Sequence, residues 1–372
     1  MFSFGIEHEV AFVSVDGSFI DYDSPLAFPG FSALIEQLPL YPGDYPQLRL
    51  GDAGIRVKRW YLEGLERFDD AGHLLTCLAK GIEIRTTIHP TINGALAELQ
   101  ESFQKLSVLA RQAGFIPVLS SFHPYQTRFT ADPPFNPYEE SLLHLSPEDE
   151  TALLSMITYG PDLNFSLQDS TDEACIDLAQ KLTYYSPYIV PFTFSAPFYA
   201  GTLWDGLSVR TFLRTGLRPA ALVFLDKPQK MLVSNPSLTK QARSLSEVGR
   251  IEFKACDSCD DFSLYAALLA LLKGLALDKT LDGRALVPDA ALHQFAARHG
   301  LANQTLARGT QSVLVATQQA LAGDPDERWL DPLWTLLQTY EPLAMRLTRD
   351  YQATGSIQAA LRRTYQSFAE NT

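Results

Sequence analysis

Four short segments of the chain share a regular alternation of apolar and polar residues, and their polar positions carry carboxylates. The segments are residues 4–12, 82–88, 162–168 and 250–256. Successive side chains of a β-strand point to opposite faces, so this alternation is typical of half-buried strands. On an ordinary solvated face, Lys, Thr, Ser and Glu would be mixed with little order. We therefore predict a sheet whose open face collects carboxylates and cations.

Acidic residues occur at short spacing on this predicted face. Glu7 and Glu9 are two residues apart, which separates their Cα atoms by about 7 Å along a strand. Two carboxylates this close repel each other and raise one pKa, and a divalent cation would remove the repulsion. Glu83 and Glu252, from other strands, can complete such a set. A few carboxylates, with water or phosphate oxygens as further ligands, suit Mg²⁺.

Basic residues alternate beside the carboxylates, as in Glu83-Ile84-Arg85 and Glu252-Phe253-Lys254. Phosphoryl transfer from Mg-ATP needs a metal that neutralises charge and cations that hold the phosphoryl oxygens. From the spacing alone a second interpretation stays open, in which these are solvated strand residues joined by cross-strand salt bridges. The chain has no Walker loop and no G-x-G-x-x-G. Nucleotide binding would therefore use another geometry.

Composition limits the class of protein. The chain has 372 residues, 46% hydrophobic and 20% charged, which is typical of a globular protein. The formal net charge of −13 disfavours nucleic acid or an anionic membrane as partner. The start of the chain has no signal-peptide pattern, and the longest apolar run, residues 264–272, is about half a membrane span. We expect a soluble cytoplasmic protein.

The four cysteines are too few for a disulfide framework in a chain of this length. Cys256 and Cys259 form a single CxxC without a second pair, which disfavours a structural zinc site. Two packed thiols are the expected arrangement, and a redox role stays open.

Elements along the chain predict an α+β fold in one domain, residues 1–372. Loops are predicted at 16–55 and 124–150, which are rich in Pro, Gly or acid. A hairpin is predicted from Val57 to Phe68 and, after a turn at 69–72, on to Arg85. Helices are predicted at 93–113, from Thr171 or Asp172 to Tyr185, at 261–278, and through the amphipathic C-terminal part. His8 falls on the apolar face, which predicts a buried, hydrogen-bonded histidine.

Arg210, Arg214 and Arg218 are spaced by four, which would place them on one side of a helix. A generic trio of this kind is solvated. The aromatic approach from Phe192 to Trp204 indicates instead that the stretch begins beside a core. We therefore predict that the trio holds an anion.

Five motifs stand in order along about residues 2–310: FGIEHE at 4–9, GIEIRT at 81–86, SAPF at 195–198 with SVR at 208–210, RIEFK at 250–254, and ARHGL at 297–301. In this order they resemble the glutamate–cysteine ligase family, in the branch of plant-type glutamate–cysteine ligases and bacterial carboxylate–amine ligases. The resemblance implies a glutamine-synthetase-like fold. Its sheet would be curved and antiparallel, with helices on the outer face and the active site on the concave face.

The resemblance also implies a reaction. Such enzymes phosphorylate a substrate carboxylate, here the γ-carboxylate of glutamate for example, and an amine such as that of cysteine then attacks the acyl phosphate. The implied cofactors are ATP and Mg²⁺. The implied partners are small-molecule substrates, with a homodimer as an allowed assembly.

Site residues follow from the resemblance position by position. The implied metal ligands are Glu7, Glu9, Glu83, Asn164 and Glu252; the implied catalytic residues are Arg210 and Lys254; the implied nucleotide contacts are Lys254, Arg298 and Arg85.

The chain departs from the family pattern at two places. The bacterial branch often has His-x-His where this chain has Asp162-Leu163-Asn164, and Lys254 stands where Arg is usual, which loses a two-pronged contact. These departures leave the acceptor and the number of metal ions open. Two other hypotheses also stay open: a non-catalytic nucleotide- or amino-acid-binding relative on the same fold, and a metal-dependent hydrolase.

Overall fold

The computed structural model describes residues 1–44, 59–143, 151, 153–227 and 230–366. Its strands are β1 (Phe2–Ser14), β2 (Phe19–Ile20), β3 (Trp60–Phe68), β4 (Leu74–Arg85), β5 (Phe115–Val118), β6 (Pro161–Leu167), β7 (Phe198–Tyr199), β8 (Thr202–Leu203), β9 (Ala221–Leu225), β10 (Thr239–Gln241) and β11 (Arg250–Phe253). The helices are α1 (Ala27–Gln37), α2 (Ile92–Gln112), α3 (Pro137–Leu143), α4 (Asp172–Tyr185), α5 (Val209–Leu213), α6 (Ser263–Leu277), α7 (Ala290–His299), α8 (Gln304–Ala320), α9 (Asp331–Thr339), α10 (Leu343–Thr354) and α11 (Ile357–Leu361).

The main sheet runs in the order β10-β9-β11-β6-β1-β4-β3, and β2 and β5 pair with the far end of β1. The pairs along this order are antiparallel except β9 with β10, which are parallel. The sheet is therefore mixed, which corrects the prediction of a purely antiparallel one. The segment 226–238 between these two strands is long enough to return the chain to the same end of the sheet.

The alternation predicted for β1 is present in the fold. Phe4, Ile6 and Val10 are buried in the core, whereas Glu7 and Glu9 lie half-buried on the opposite face. Helices α2 and α6 pack against β1 on the apolar face. The sheet is strongly curled, so its polar face becomes a concave surface.

Helix α6 is buried along most of its length, as predicted from its uniformly apolar sequence. Helices α2 and α4 also confirm their predicted ranges, and the Thr171 side chain accepts a hydrogen bond from the backbone N–H of Ala174 as the N-cap of α4. The hairpin is confirmed as β3 and β4. Val57, its predicted start, lies outside the described residues.

Two predicted loops contain helices. Within 16–55, α1 was missed because Pro29 and Gly30 resemble a turn. Pro29 stands in the first helical turn, where a missing N–H is tolerated. Gly30 is required by packing, since a Cβ there would lie 2.5 Å from the Phe115 ring. Within 124–150, α3 occupies Pro137–Leu143, and residues 144–150 lie outside the described part.

No helix in the described residues combines the length and apolar content needed to cross a membrane. The four cysteines are buried and none is joined in a disulfide.

Two buried histidines link the stability of the fold to pH. The ring nitrogens of His8 lie 2.9 Å from the Tyr265 hydroxyl and 2.8 Å from the Tyr365 hydroxyl. Burial lowers the pKa of His8 to about 3, and burial lowers the pKa of His293 to about 4. The unfolded chain therefore binds more protons below pH 6.5, and acid favours unfolding.

We expect the free energy of unfolding to fall by about 1.4 kcal/mol per buried histidine between pH 7.5 and 5.5, because each folded-state ring stays neutral. His8→Gln and His293→Gln should each remove about that much of the wild-type difference. Urea unfolding at the two pH values measures it. An undiminished pH difference in both variants would contradict the assignment.

Candidate active site

A cavity of about 840 Å³ opens on the concave face of the sheet. Its walls come from β1, β3, β4, β6 and β11, and it is also lined by Arg210, Arg214, Arg218, Lys240, Arg243, Ser244, Ser246 and Glu247. We call the part of the cavity around Glu9, Glu63 and Glu83 its acidic end and the part around Arg210, Arg214 and Arg218 its basic end. A volume of this order accommodates a nucleotide-sized ligand.

Three carboxylates converge at the acidic end: Glu9 on β1, Glu63 on β3 and Glu83 on β4. One oxygen from each lies within 4.8 Å of the others, and no second group of three or more His, Cys, Asp or Glu side chains comes together in this way among the residues that the structure describes. Octahedral Mg²⁺ coordination holds its oxygens at most about 4.2 Å apart, so a small closure would complete a site. This donor set therefore fits a divalent cation.

Two of these carboxylates, Glu63 and Glu83, have raised pKa values, chiefly because they are buried. Desolvation raises the pKa of Glu63 to about 7, with Glu9 adding to it and Lys80 opposing it. Desolvation also raises the pKa of Glu83 well above its usual range, against the effect of Arg85. A cation among them would relieve both effects.

Lys80 is a component of the site that the alternation did not predict. It is the extra residue of a β-bulge, because Gly64 on β3 pairs with Ala79 and Glu63 pairs with Gly81. Its ammonium donates to Glu9 at 2.9 Å and to the carbonyls of Ser155 and Thr158 at 2.7 and 2.6 Å. All three N–H donors are thus used, and Lys80 fixes one oxygen of Glu9.

The other implied metal ligands, Glu7, Asn164 and Glu252, lie on the adjacent strands β1, β6 and β11. They do not surround an open position. The guanidinium of Arg250 lies between Glu7 and Glu252, at 3.3 and 3.4 Å from their oxygens. Asn164 donates to Glu7 at 3.2 Å. The implied metal ligands therefore fall into two groups. The group of Glu7, Asn164 and Glu252 does not fit a metal ion in this arrangement.

Lys254 lies between Glu252 and Asp162, with N–O distances of 2.5 and 2.9 Å. Burial opposes the charge on Glu252, but Lys254 and Arg250 outweigh it and lower the pKa of Glu252 to about 2. The pKa of Lys254 is raised by Asp162 and Glu252 in spite of its own burial. Both groups are therefore charged at neutral pH.

The arginine trio lines the basic end of the cavity, although α5 covers only its first member. Arg210 is 2% exposed and Arg214 is 7% exposed, so the trio is not an ordinary solvated face. Desolvation, together with the charges of Arg210 and Arg218, lowers the pKa of Arg214 to about 9. An anion among these guanidiniums would relieve their mutual repulsion.

Arg210 is hydrogen-bonded through its guanidinium to backbone carbonyls. It donates to the carbonyls of Lys254, Ala255 and Cys256 at 3.1, 3.1 and 2.6 Å, and its guanidinium lies 3.6 Å from Asp257. Arg214 donates to the same Lys254 carbonyl at 3.2 Å and also lines the cavity. Arg214 is thus at least as well placed as Arg210 to contact an anion.

Gly160 lies between Glu9 and Arg210. Its N–H donates to Glu9 at 3.1 Å, and a Cβ at this position would lie 2.2 Å from Nη2 of Arg210. The absence of a side chain therefore allows the arginine to approach the backbone beside the acidic end.

The implied nucleotide contacts fall in different places. Arg85 lines the cavity, pairs with Glu83 at 2.5 Å and lies over the Tyr61 ring at 4.1 Å. Arg298, on α7, is exposed and lies over the rings of Trp204 and Phe212. It does not line the cavity, so the structure does not bring it together with the other predicted site residues.

Comparison with known proteins adds the family context. A protein of Roseiflexus castenholzii named "Putative glutamate–cysteine ligase 2" is 25% identical over 210 residues, which are 53% of this chain and 54% of that protein. A protein of the same name from another Roseiflexus strain matches equally well. The resemblance to glutamate–cysteine ligases is confirmed. No family model matches the chain, and the chain spans about half the length of the curated relatives it matches.

Solved structures show the same fold. A bifunctional glutathione synthetase from Pasteurella multocida superposes with a TM-score of 0.60 at 14% identity, over 100% of this chain and 52% of that chain. A glutamate–cysteine ligase from Francisella tularensis, in complex with AMP, gives 0.56 at 13% identity, over 99% and 89%. The glutamate–cysteine ligase fold, with its curled sheet, is therefore the fold of this chain.

The glutamate–cysteine ligase resemblance did not single out Glu63 or Lys80. Glu63 had a signal, since Tyr61 and Glu63 alternate with Trp60 and Leu62 in the predicted hairpin. Lys80 had none, because the bulge interrupts the alternation at that residue.

Proposed function

We propose that this chain is an Mg-ATP-dependent carboxylate–amine ligase. The observation that supports it best is the cavity itself, with the converging oxygens of Glu9, Glu63 and Glu83 at one end and buried arginines at the other. This pairing suits a metal-bound polyphosphate whose terminal group is transferred towards guanidinium and ammonium donors.

In this proposal Glu9, Glu63 and Glu83 hold Mg²⁺, which when bound neutralises charge on the phosphates. Lys80 keeps the Glu9 carboxylate in place through its own fixed hydrogen bonds. Arg214 and Lys254 provide positive charge for the transferring phosphoryl group.

The reaction would proceed in two steps. A carboxylate oxygen attacks the γ-phosphorus of ATP, and ADP leaves. The amine nitrogen then attacks the acyl carbon, phosphate leaves with one oxygen of the original carboxylate, and loss of the amine proton gives the amide. Holding both substrates in one cavity makes each step effectively intramolecular.

We further propose the γ-carboxylate of glutamate and the amine of cysteine as substrates, and residues 1–372 as one ligase domain. Support for these substrates comes from the curated relatives named glutamate–cysteine ligase. Arg214 and Arg210 at the basic end suit an anionic amino acid.

Transfer of an isotope label tests the proposal. Glutamate labelled with ¹⁸O in its γ-carboxylate is incubated with ATP, Mg²⁺ and cysteine, and then with a panel of other carboxylates and amines. A ligase places one ¹⁸O in the released phosphate and forms an amide, both detected by mass spectrometry. Nucleotide binding without turnover on any pair favours the non-catalytic relative, and amide cleavage without ATP favours the hydrolase.

Two arginine variants should separate binding from packing. Arg214→Lys is expected to raise KM for ATP or the carboxylate about tenfold, with little effect on unfolding, because a two-pronged contact is lost. Arg210→Lys is expected to lower the free energy of unfolding by about 2 kcal/mol as well, because buried carbonyls lose their donors. Steady-state kinetics and urea unfolding measure the two effects. Equal, small changes in both variants would show that neither arginine contacts substrate.

A further inference from the structure

We propose that the guanidinium of Arg250 replaces a second divalent cation between Glu7 and Glu252, so that this chain binds a single cation, at Glu9, Glu63 and Glu83. The inference rests on the metal-binding part of the proposed function. It assigns to Arg250 a role in setting the number of metal ions.

Side chains from three adjacent strands converge on the position that Arg250 occupies. Asn164 pairs with Gly5 on one side and with Glu252 on the other, and its amide nitrogen donates to Glu7 at 3.2 Å. Two carboxylates and an amide oxygen are a set that hard cations accept. In this chain the charge between the carboxylates comes from Nη1 and Nη2 of Arg250, at 3.3 Å from Glu7 and 3.4 Å from Glu252.

Two further contacts hold the guanidinium of Arg250 in place. Arg250 lies 4.0 Å over the Phe224 ring centroid, and its Nη2 lies 3.5 Å from Glu247. Moving it out to admit a metal ion would break the ion pairs and the ring contact together. The guanidinium is therefore a fixed part of the site.

Charge also disfavours a second cation here. Lys254 contacts Glu252 at 2.5 Å and Arg85 lies 3.6 Å from Glu7, so an added ion would meet three cationic side chains. The acidic end also has two cations, Lys80 beside Glu9 and Glu63 and Arg85 beside Glu83. It differs in that Lys80 does not line the cavity, and Arg85 pairs with Glu83 rather than lying between two of the three carboxylates. The oxygens of Glu9, Glu63 and Glu83 can still close around an ion.

A buried oxygen without a hydrogen-bond partner indicates that removing the Arg250 guanidinium would open a cation site. Oδ1 of Asn164 is buried without a hydrogen-bond partner, and the Asn164 side chain is 6% exposed. With Arg250 replaced by an uncharged residue, this oxygen and the carboxylates of Glu7 and Glu252 would be available to a cation.

Counting bound Mn²⁺ on the full chain tests the inference without relying on turnover. Free Mn²⁺ is followed by electron paramagnetic resonance during titration of the nucleotide-free protein. The wild type is expected to bind one ion per chain, and Arg250→Met, which keeps an apolar stem over Phe224, should bind two. Arg250→Lys keeps the charge and should still bind one. Adding Glu252→Gln to Arg250→Met should return the count to one.

Arg243→Met is the matched control, because Arg243 also lines the cavity and the change removes the same charge and leaves the same side chain. Two ions in the wild type, none in the wild type, or one in Arg250→Met would each overturn the inference. A second ion in Arg243→Met as well would reduce the effect to net charge and overturn it too. If a variant fails to fold, the number of Mn²⁺ ions bound by the wild type is sufficient to test the inference. Failure of ligation with a count of one would reject the proposed function and leave this inference standing.

Discussion

Glu63→Gln is expected to lower metal-dependent turnover by about a thousandfold or more, while leaving the metal-free protein as stable as the wild type. The amide keeps the size of the side chain but removes one ligand charge from the acidic end, which weakens transition-state stabilisation by several kcal/mol. Stability should not fall, because desolvation raises the pKa of Glu63 to about 7. The fold therefore loses stability as the pH rises from the ordinary range of a glutamate to about 7, and at pH 8 it carries the whole cost of the ionised form, which Gln lacks.

Two measurements check this expectation. Steady-state turnover with varied Mg²⁺ gives the loss of activity, and melting curves at pH 8 with and without Mg²⁺ give the stabilisation by metal, which should disappear in the variant. Glu66→Gln is the control, since Glu66 is on the same strand but does not line the cavity. Wild-type turnover together with a wild-type shift in melting temperature for Glu63→Gln would remove Glu63 from the metal site.

Gly160→Ala is expected to reduce kcat/KM by about tenfold to a hundredfold, because a displacement near 1 Å at a positioned group has effects of this size. The new Cβ would lie 2.2 Å from Nη2 and 2.7 Å from Cζ of Arg210. Arg210 cannot retreat freely, since its guanidinium is bound to the carbonyls of residues 254–256. Either Arg210 shifts, or the backbone at Gly160 moves and disturbs its N–H bond to Glu9.

Gly43→Ala is the matched substitution, because an added Cβ there meets no atom of the described residues within 4 Å. Kinetics and urea unfolding on both variants compare a crowded with an open position. Overpacking should also destabilise Gly160→Ala by about 1–3 kcal/mol, whereas Gly43→Ala should resemble the wild type. Identical kinetics in the two variants would mean that the contact between Arg210 and Gly160 has no part in activity.

The sequence predicted well which side chains share the polar face of the sheet, because this depends on the two-residue period of a strand. The alternation in β1, β6 and β11 put Glu7, Asn164 and Glu252 on one face, and the structure has them on neighbouring strands. Burial of one face decides which way every side chain of such a strand points. The same rule correctly predicted that His8 is buried.

Contacts between side chains of different strands could not be predicted in this way. Arg250 was recognised as part of the polar alternation, but its position between two carboxylates depends on strand order and on the Phe224 ring beneath it. Arg298 lies outside the cavity for a related reason. A motif fixes its place in the chain, whereas the direction of an exposed side chain on α7 depends on the aromatic rings beside it.

The bulge in β4 makes the charge of the site depend on the length of a strand. Core-facing residues are Cys77 and Ala79 before the bulge and Ile82 and Ile84 after it, so the apolar positions change from odd to even numbers across Lys80. Deleting this one residue would restore a regular strand and keep every apolar contact in phase. The same deletion would remove the ammonium that faces Glu9 and Glu63. In this strand one inserted residue therefore supplies a positive charge to the acidic end without disturbing the core.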